Sequence, residues 1–196
     1  ESHAQDNKPA AESYATWSHS GSLFLLTTPD GADLPASASV NDFPLLVRFN
    51  ASNFNFSQAQ PDGRDIRFAT AAGAALPYQI EQWDSSSGSA AVWVKIPTIT
   101  GNSTQEIKMY WGKGDVSSLS SGSGVFGASN GYSSVHHMGD TLVDEIGTTK
   151  PTNSGTTATD GLIGRARSFT AGKGIQCGTT ITGLPTGAGP FSTGVW

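Results

Sequence analysis

The stretch ALPYQIEQWDSSSGSAAVWVKIP, Ala75 to Pro97, decides the fold. Its two halves alternate apolar and polar residues with period two, and a Ser/Gly cluster separates them, which is the pattern of a β-hairpin. Centred on Ser87, the hairpin pairs Ile80 with Val94 and Tyr78 with Ile96, and these residues together with Val92 form a core face. The opposite face then sets Gln79 beside Lys95, Glu81 beside Trp93 and Trp83 beside Ala91, so that Trp83 and Trp93 become diagonal neighbours. Two readings compete for such a face. Trp83, Trp93, Glu81 and Lys95 could form a ligand-binding platform that stacks sugars, or another sheet or the following domain could cover the rings.

The same period continues on either side. In LLVRF, Leu45, Val47 and Phe49 share one parity; in DIRF, Ile66 and Phe68 point inward and Asp65 and Arg67 outward; in EIKMYW, Ile107, Met109 and Trp111 share a face. One-sided alternation of this kind marks antiparallel sheets packed on a core, so the fold class is all-β, an antiparallel β-sandwich. TPDGAD (Thr28–Asp33) and QPDGRD (Gln60–Asp65) combine Pro, Asp and Gly in turn order, and neither carries the remaining ligands of a calcium loop.

Composition narrows the function classes. Only 14% of the 196 residues are charged, against roughly 25% in average soluble domains, and 24 glycines suit a turn-rich β protein. The net charge is -5 and the 11 Lys and Arg residues form no cluster, so the chain lacks the footprint of a nucleic-acid binder. Cys177 is the single cysteine, so packing rather than an internal disulfide must hold the fold. No apolar run reaches the roughly 18 residues of a membrane span, and any membrane contact is expected through segments absent from this chain.

The expected organisation has four parts. Residues 1–13 are a flexible polar segment, 14–115 a β-sandwich domain, 116–131 a Gly/Ser-rich linker, and 132–196 a further run of short strands between Gly-rich turns. That last part is too short for a closed sheet, so the natural protein is expected to continue beyond Trp196.

No catalytic residues are assigned. Glu81 and Asp84 are acids without a motif that joins them across a cleft, and the Ser-rich SSGSG run lacks the strand-turn-helix setting of a nucleophile elbow. His136 and His137 are adjacent, so on a strand their rings point to opposite faces and do not converge on a metal. Asp140, Asp144 and Glu145 are the candidate oxygen ligands of a structural calcium ion, and no other cofactor is expected.

The ordered blocks DFPLLVRF, PDGRDIRF, LPYQIEQWD, AAVWVKIP and IKMYWGKGD, spanning about Trp17 to Asp115, resemble a bacterial β-sandwich domain of unknown function. The later blocks VHHMGD, DEIG, GLIGRARSFTAGKGI and PFSTGVW resemble the start of a LamG-like, concanavalin A-like jelly roll, with His136 where that pattern often carries Trp. The pair is similar to the extracytoplasmic region of some MotA/TolQ/ExbB-family proton-channel proteins. The resemblance implies a periplasmic or cell-surface location and a non-catalytic recognition or spacer module. Its partner would be a cell-envelope protein or glycan, with oligomers formed through the full-length protein. A carbohydrate-binding accessory to a glycan-active or adhesin protein is one alternative, and a structural subunit of an envelope assembly or filament is another.

Overall fold

A computed structural model describes residues 13–127, 130–178, 183–184, 187–190 and 192–194. Alternation in the sequence becomes two antiparallel sheets. The first is built from β1 (His19–Leu26), β7 (Thr104–Trp111), β3 (Arg67–Thr70) and β4 (Ala75–Leu76), in that spatial order. The second is built from β2 (Ser39–Asn50), β6 (Ser89–Thr100) and β5 (Tyr78–Asp84), with β6 in the centre. The protein is an all-β antiparallel sandwich, as the sequence predicts.

The expected inward parities hold. Ile107, Met109 and Phe68 from one sheet meet Val47, Phe49, Val92 and Val94 from the other, and all are buried. Trp111 packs at the margin of the same core. Phe54 and Phe56, from the segment between β2 and β3, close one end of it. Both Pro-Asp-Gly segments are turns, closed by hydrogen bonds from the N–H of Gly31 to Thr28 O and from the N–H of Gly63 to Gln60 O.

The register of the central hairpin differs from the expected one. Tyr78 pairs with Val94, Gln79 with Trp93 and Ile80 with Val92; a β-bulge follows, and beyond it Gln82 pairs with Ala91, Trp83 with Ala90 and Asp84 with Ser89. Two local causes act at the turn. One Asp84 carboxylate oxygen accepts the N–H groups of Ser86 and Ser87 together with the Ser86 hydroxyl, and Gly88 adopts a φ of 66°, closing a four-residue loop over Ser85–Gly88. The bulge adds one residue to β5, so Trp83 changes parity and turns to the same face as Tyr78 and Ile80. Its ring lies against Phe49, Phe54 and Phe56, and a Cβ on Gly63 would come within 2.6 Å of it. The expectation that Trp83 and Trp93 share the outer face is therefore corrected: Trp83 is a core ring and Trp93 an outer one.

Asp65 and Arg67 point away from the sandwich core, as expected, but not into solvent. Both are buried, Asp65 completely. The chain before β1 crosses over this region: Tyr14 stacks on Tyr110, the Trp17 indole donates to Asp65 O at 2.9 Å, and the Lys113 ammonium sits 4.1 Å from the Trp17 ring. The Asp65 carboxylate accepts the backbone N–H groups of Gln60, Gly112 and Lys113, fixing the QPDGRD turn to the end of β7. The Arg67 guanidinium donates to Arg64 O, Ile66 O, Ser117 O and the Tyr78 hydroxyl.

Beyond residue 130 the elements are small. β8 (Thr152–Ser154) pairs with β11 (Gly174–Gln176), and β9 (Thr157–Asp160) pairs with β10 (Arg165–Ser168), each as a separate two-stranded ladder. Their side chains are mostly exposed, and polar contacts order the intervening turns, as where Asn153 accepts the N–H and hydroxyl of Thr156.

Removing the buried Asp65 carboxylate strands three backbone donors, so Asp65→Ala should destabilise the protein by about 2–4 kcal/mol in urea unfolding at pH 7. Asp62→Ala, three residues away and exposed, should stay within about 0.5 kcal/mol of wild type. Equal effects at the two positions would contradict the anchoring role.

Candidate functional site

With Trp83 turned inward, the outer face of the β2–β6–β5 sheet presents Gln79, Glu81, Trp93 and Lys95. The chain after β7 returns across this face. Residues 116–131, expected to be a linker, contain a segment that runs along β5: Leu119 N–H donates to the Tyr78 hydroxyl, Ser121 N–H to Tyr78 O, and Ile80 N–H to the Ser120 hydroxyl at 2.8 Å. This segment supplies partners for the free edge of β5, which would otherwise expose a row of unpaired groups. Ser121 then caps α1 (Gly122–Val125), accepting the Gly124 N–H, and α1 delivers Phe126 onto Trp93 with ring centroids 5.5 Å apart.

His137 completes the layer. Its ring stacks on Trp93 at 6.1 Å and packs against Phe126 at 5.4 Å; Nε2 lies 3.0 Å from Gln79 Oε1, and Nδ1 lies 3.3 Å from Glu81 Oε2. The Trp93 indole N–H donates to the same Glu81 oxygen. The Glu81 and His137 side chains are 8% and 16% exposed, so their contact is sealed rather than open to a substrate.

Burial moves both groups toward their uncharged forms. It pushes the Glu81 carboxyl above its ordinary value, a shift that the Trp93 hydrogen bond and Arg48 oppose and Glu145 reinforces. Burial, aided by the charge on His136, depresses His137 to about 4. With His137 neutral at neutral pH, the 3.3 Å approach of the two is a contact and not an ion pair, and the hydrogen bond of the ring is the one to Gln79. Glu145, beside Gly122 and hydrogen-bonded to Gln79, is likewise raised by burial.

The sequence-predicted ligand-binding set is divided. Glu81 and Trp93 are in contact, and Trp83 lies in the core. Lys95 is on the outer face but reaches Asp42 at 3.8 Å. The platform expected from these four residues is therefore not assembled; one ring is covered by Phe126 and His137 and the other by the sandwich core.

The expected calcium ligands are also apart in function. Burial alone would raise Asp144, but its oxygens accept the N–H groups of Val135, Ile146 and Thr149 and the hydroxyls of Thr148 and Thr149, which hold it well below the usual carboxylate range. Asp140 pairs with Arg165 at 3.2 Å, and Glu145 is engaged with Gln79. Among the described residues no three His, Cys, Asp or Glu side chains are grouped to hold a metal ion. The donors around Asp144 are neutral hydrogen-bonding groups that already saturate it, so these residues do not fit calcium.

The two histidines have different partners, although the segment that carries them is not a strand and both are half-buried. His136 turns away from the sheet to Ser134, at 2.7 Å from Nε2, and Val143 O, at 3.0 Å from Nδ1, while His137 packs inward. Sequence reasoning placed Gln79 on this face but did not bring His137 and Phe126 to it. The only signal was the polar Gln79 and Glu81 next to Trp93 on one strand face, which needed a partner from elsewhere in the chain.

Residues 62–140 match a family described as Domain of unknown function (DUF2341). The matched region runs from the QPDGRD turn through β7 and on into the covering segment with Phe126 and His137, so the sequence likeness includes the layer that seals Trp93. No curated protein and no solved structure matches the chain.

Two outcomes follow from this geometry. His137 is depressed in the folded state, so its contribution is fully present above its unfolded value near 6.5 and is lost as pH falls toward about 4. Glu81 has the opposite sign, because its raised value favours the folded state as pH falls. Adding Glu81→Gln to both wild type and His137→Gln removes the Glu81 contribution, and the comparison is made in that background. Between pH 7 and 4.5 the chain that keeps His137 should lose up to about 3 kcal/mol more than the one that lacks it in urea unfolding, and parallel pH profiles would refute the buried neutral imidazole. Asp144→Ala should lower stability by about 2–4 kcal/mol, while a chelator leaves the wild-type melting midpoint unchanged; a chelator-induced drop would restore the calcium reading.

Proposed function

We propose that the chain is a non-catalytic recognition and spacer module in the extracytoplasmic part of a larger bacterial envelope protein, of the kind joined to a MotA/TolQ/ExbB-type proton channel. In this reading residues 132–196 open a LamG-like jelly roll, and the antiparallel ladders β8–β11 and β9–β10 are compatible with such a start. The observation that carries the proposal is the joint at Trp93. The close approach of an acid and an imidazole at Glu81 and His137 is closed by Phe126 and the stacked rings. Groups used in this way set the position of one segment on another instead of turning over a substrate.

A spacer must also transmit position without bending at each junction. Here the sandwich and the following segment are tied along β5, at Trp93, and by the Arg48 guanidinium, which donates to Leu162 O at 3.0 Å. The sparse Lys and Arg content favours a protein or glycan partner over a polyanion.

Location gives a direct test. Ala72 lies in an exposed turn where neighbouring Gly73 has open space around it. In the full-length protein, with Cys177→Ser to remove the native thiol, Ala72→Cys should react with a membrane-impermeant maleimide on intact spheroplasts. Labelling only after lysis would overturn the extracytoplasmic reading.

A further inference from the structure

Where β2 leaves the second sheet and β5 turns into β6, residues Ala51–Ser57 and Ser85–Gly88 border an open groove of about 610 Å³. Small-molecule sites occupy about 300–1,000 Å³, so the groove has the volume of a ligand site. It shares no residue with the Trp93 joint.

Its chemistry is selective. Among the described residues the lining carries no charged side chain; amides and hydroxyls form the walls, and Phe54 and Phe56 form an apolar floor. The floor is rigid, because the two rings meet edge to face at 5.1 Å and both rest on Trp83, at 5.6 and 5.2 Å. The walls are also preorganised. Asn50 Oδ1 accepts the N–H and hydroxyl of Ser52, Asn55 Oδ1 accepts the N–H and hydroxyl of Ser57, and Asp84 Oδ1 fixes Ser86 and Ser87. These bonds consume the carboxamide oxygen of Asn55 and leave its exposed Nδ2 group as a donor, with lone pairs of the Ser57 hydroxyl beside it as acceptors.

Ligand classes separate on these groups. An anion would find no cation in the lining, and a cation no free carboxylate. A purely apolar ligand would desolvate Asn and Ser groups without replacing their hydrogen bonds. A sugar matches both surfaces, since each hydroxyl both donates and accepts and the C–H face of a pyranose is apolar.

We propose that this groove binds a short neutral oligosaccharide. The proposal deepens the recognition reading above and rests on it for its biological setting. Loops at the end of a rigid sandwich are also where such sites are commonly carried, because the scaffold holds the loops still.

The test is an NMR titration of the chain with cellotetraose, mannotetraose, tetra-N-acetylchitotetraose and a panel of neutral peptides. At least one of the three sugars should give saturable shifts confined to residues 51–57 and 85–88. Ser57→Trp and Ser87→Trp, both exposed positions that keep their backbone N–H bonds, should each weaken binding at least tenfold while the urea midpoint is retained. If one variant fails to fold, the other decides. No saturable shift with any of the sugars, shifts located elsewhere, shifts unaffected by a folded variant, or peptide binding at these residues without sugar binding would overturn the proposal. The maleimide experiment reads location alone, so a failed titration with successful labelling removes the sugar site and leaves the spacer reading standing.

Discussion

One extra residue in β5, between Ile80 and Gln82, allows a single hairpin to face two layers. Without it, Tyr78 and Ile80 could reach the core only if Trp83 faced away, because side chains alternate strictly along a strand. The bulge changes parity for everything beyond it. Trp83 then joins Phe49, Phe54 and Phe56 as a half-buried ring packed against the core. Glu81 is itself the extra residue, and it meets Trp93 from the neighbouring strand. The core and the joint thus depend on the same local irregularity.

Part of each outer face is covered by chain from outside its sheet, and in each case a polar group directs the covering segment. On the first sheet Asp65 and Arg67 gather the turn before β3, the end of β7 and the residues after it through backbone hydrogen bonds. On the second, Gln79, Glu81 and His137 do so through side chains. Apolar contacts alone would hold these layers together without selecting one alignment, since dispersion and burial are non-directional. Buried donors and acceptors must be matched, so a shifted alignment would leave several of them unsatisfied. Arg67 links the two systems: it contacts the Tyr78 hydroxyl, which also accepts from Leu119 in the segment that covers β5.

The aromatic cluster has a further consequence at the end of the sandwich. Phe54 and Phe56 are core residues that simultaneously support the loop on which they lie, so the groove between residues 51–57 and 85–88 has a floor continuous with the hydrophobic core. Its walls are held by Asn and Asp side chains bonded to the next two or three residues, an arrangement that costs little chain entropy on binding because the loops are already ordered. Inward rotation of Trp83, which removes one expected sugar platform, is what gives this second surface its rigid base.

The sequence by itself determined the all-β class, the inward parities of β2, β3 and β7 and the Pro-Asp-Gly turns. All of these follow from period-two alternation and turn chemistry, which act over a few residues. Tertiary structure alone decided the fates of Trp83 and Trp93, of Asp65 and Arg67, and of the three acids expected to bind calcium. A one-residue bulge leaves the apolar count of the strand unchanged yet reverses the faces beyond it, so alternation cannot reveal it. Whether a polar outward residue meets solvent or a covering segment is set by chain 50 or more residues away, as with Gln79 and His137 or Arg67 and Ser117. Asp144 was legible as an acid in a turn; that its oxygens are saturated by N–H and hydroxyl donors from residues 135 to 149 depends on how the loop folds back on itself.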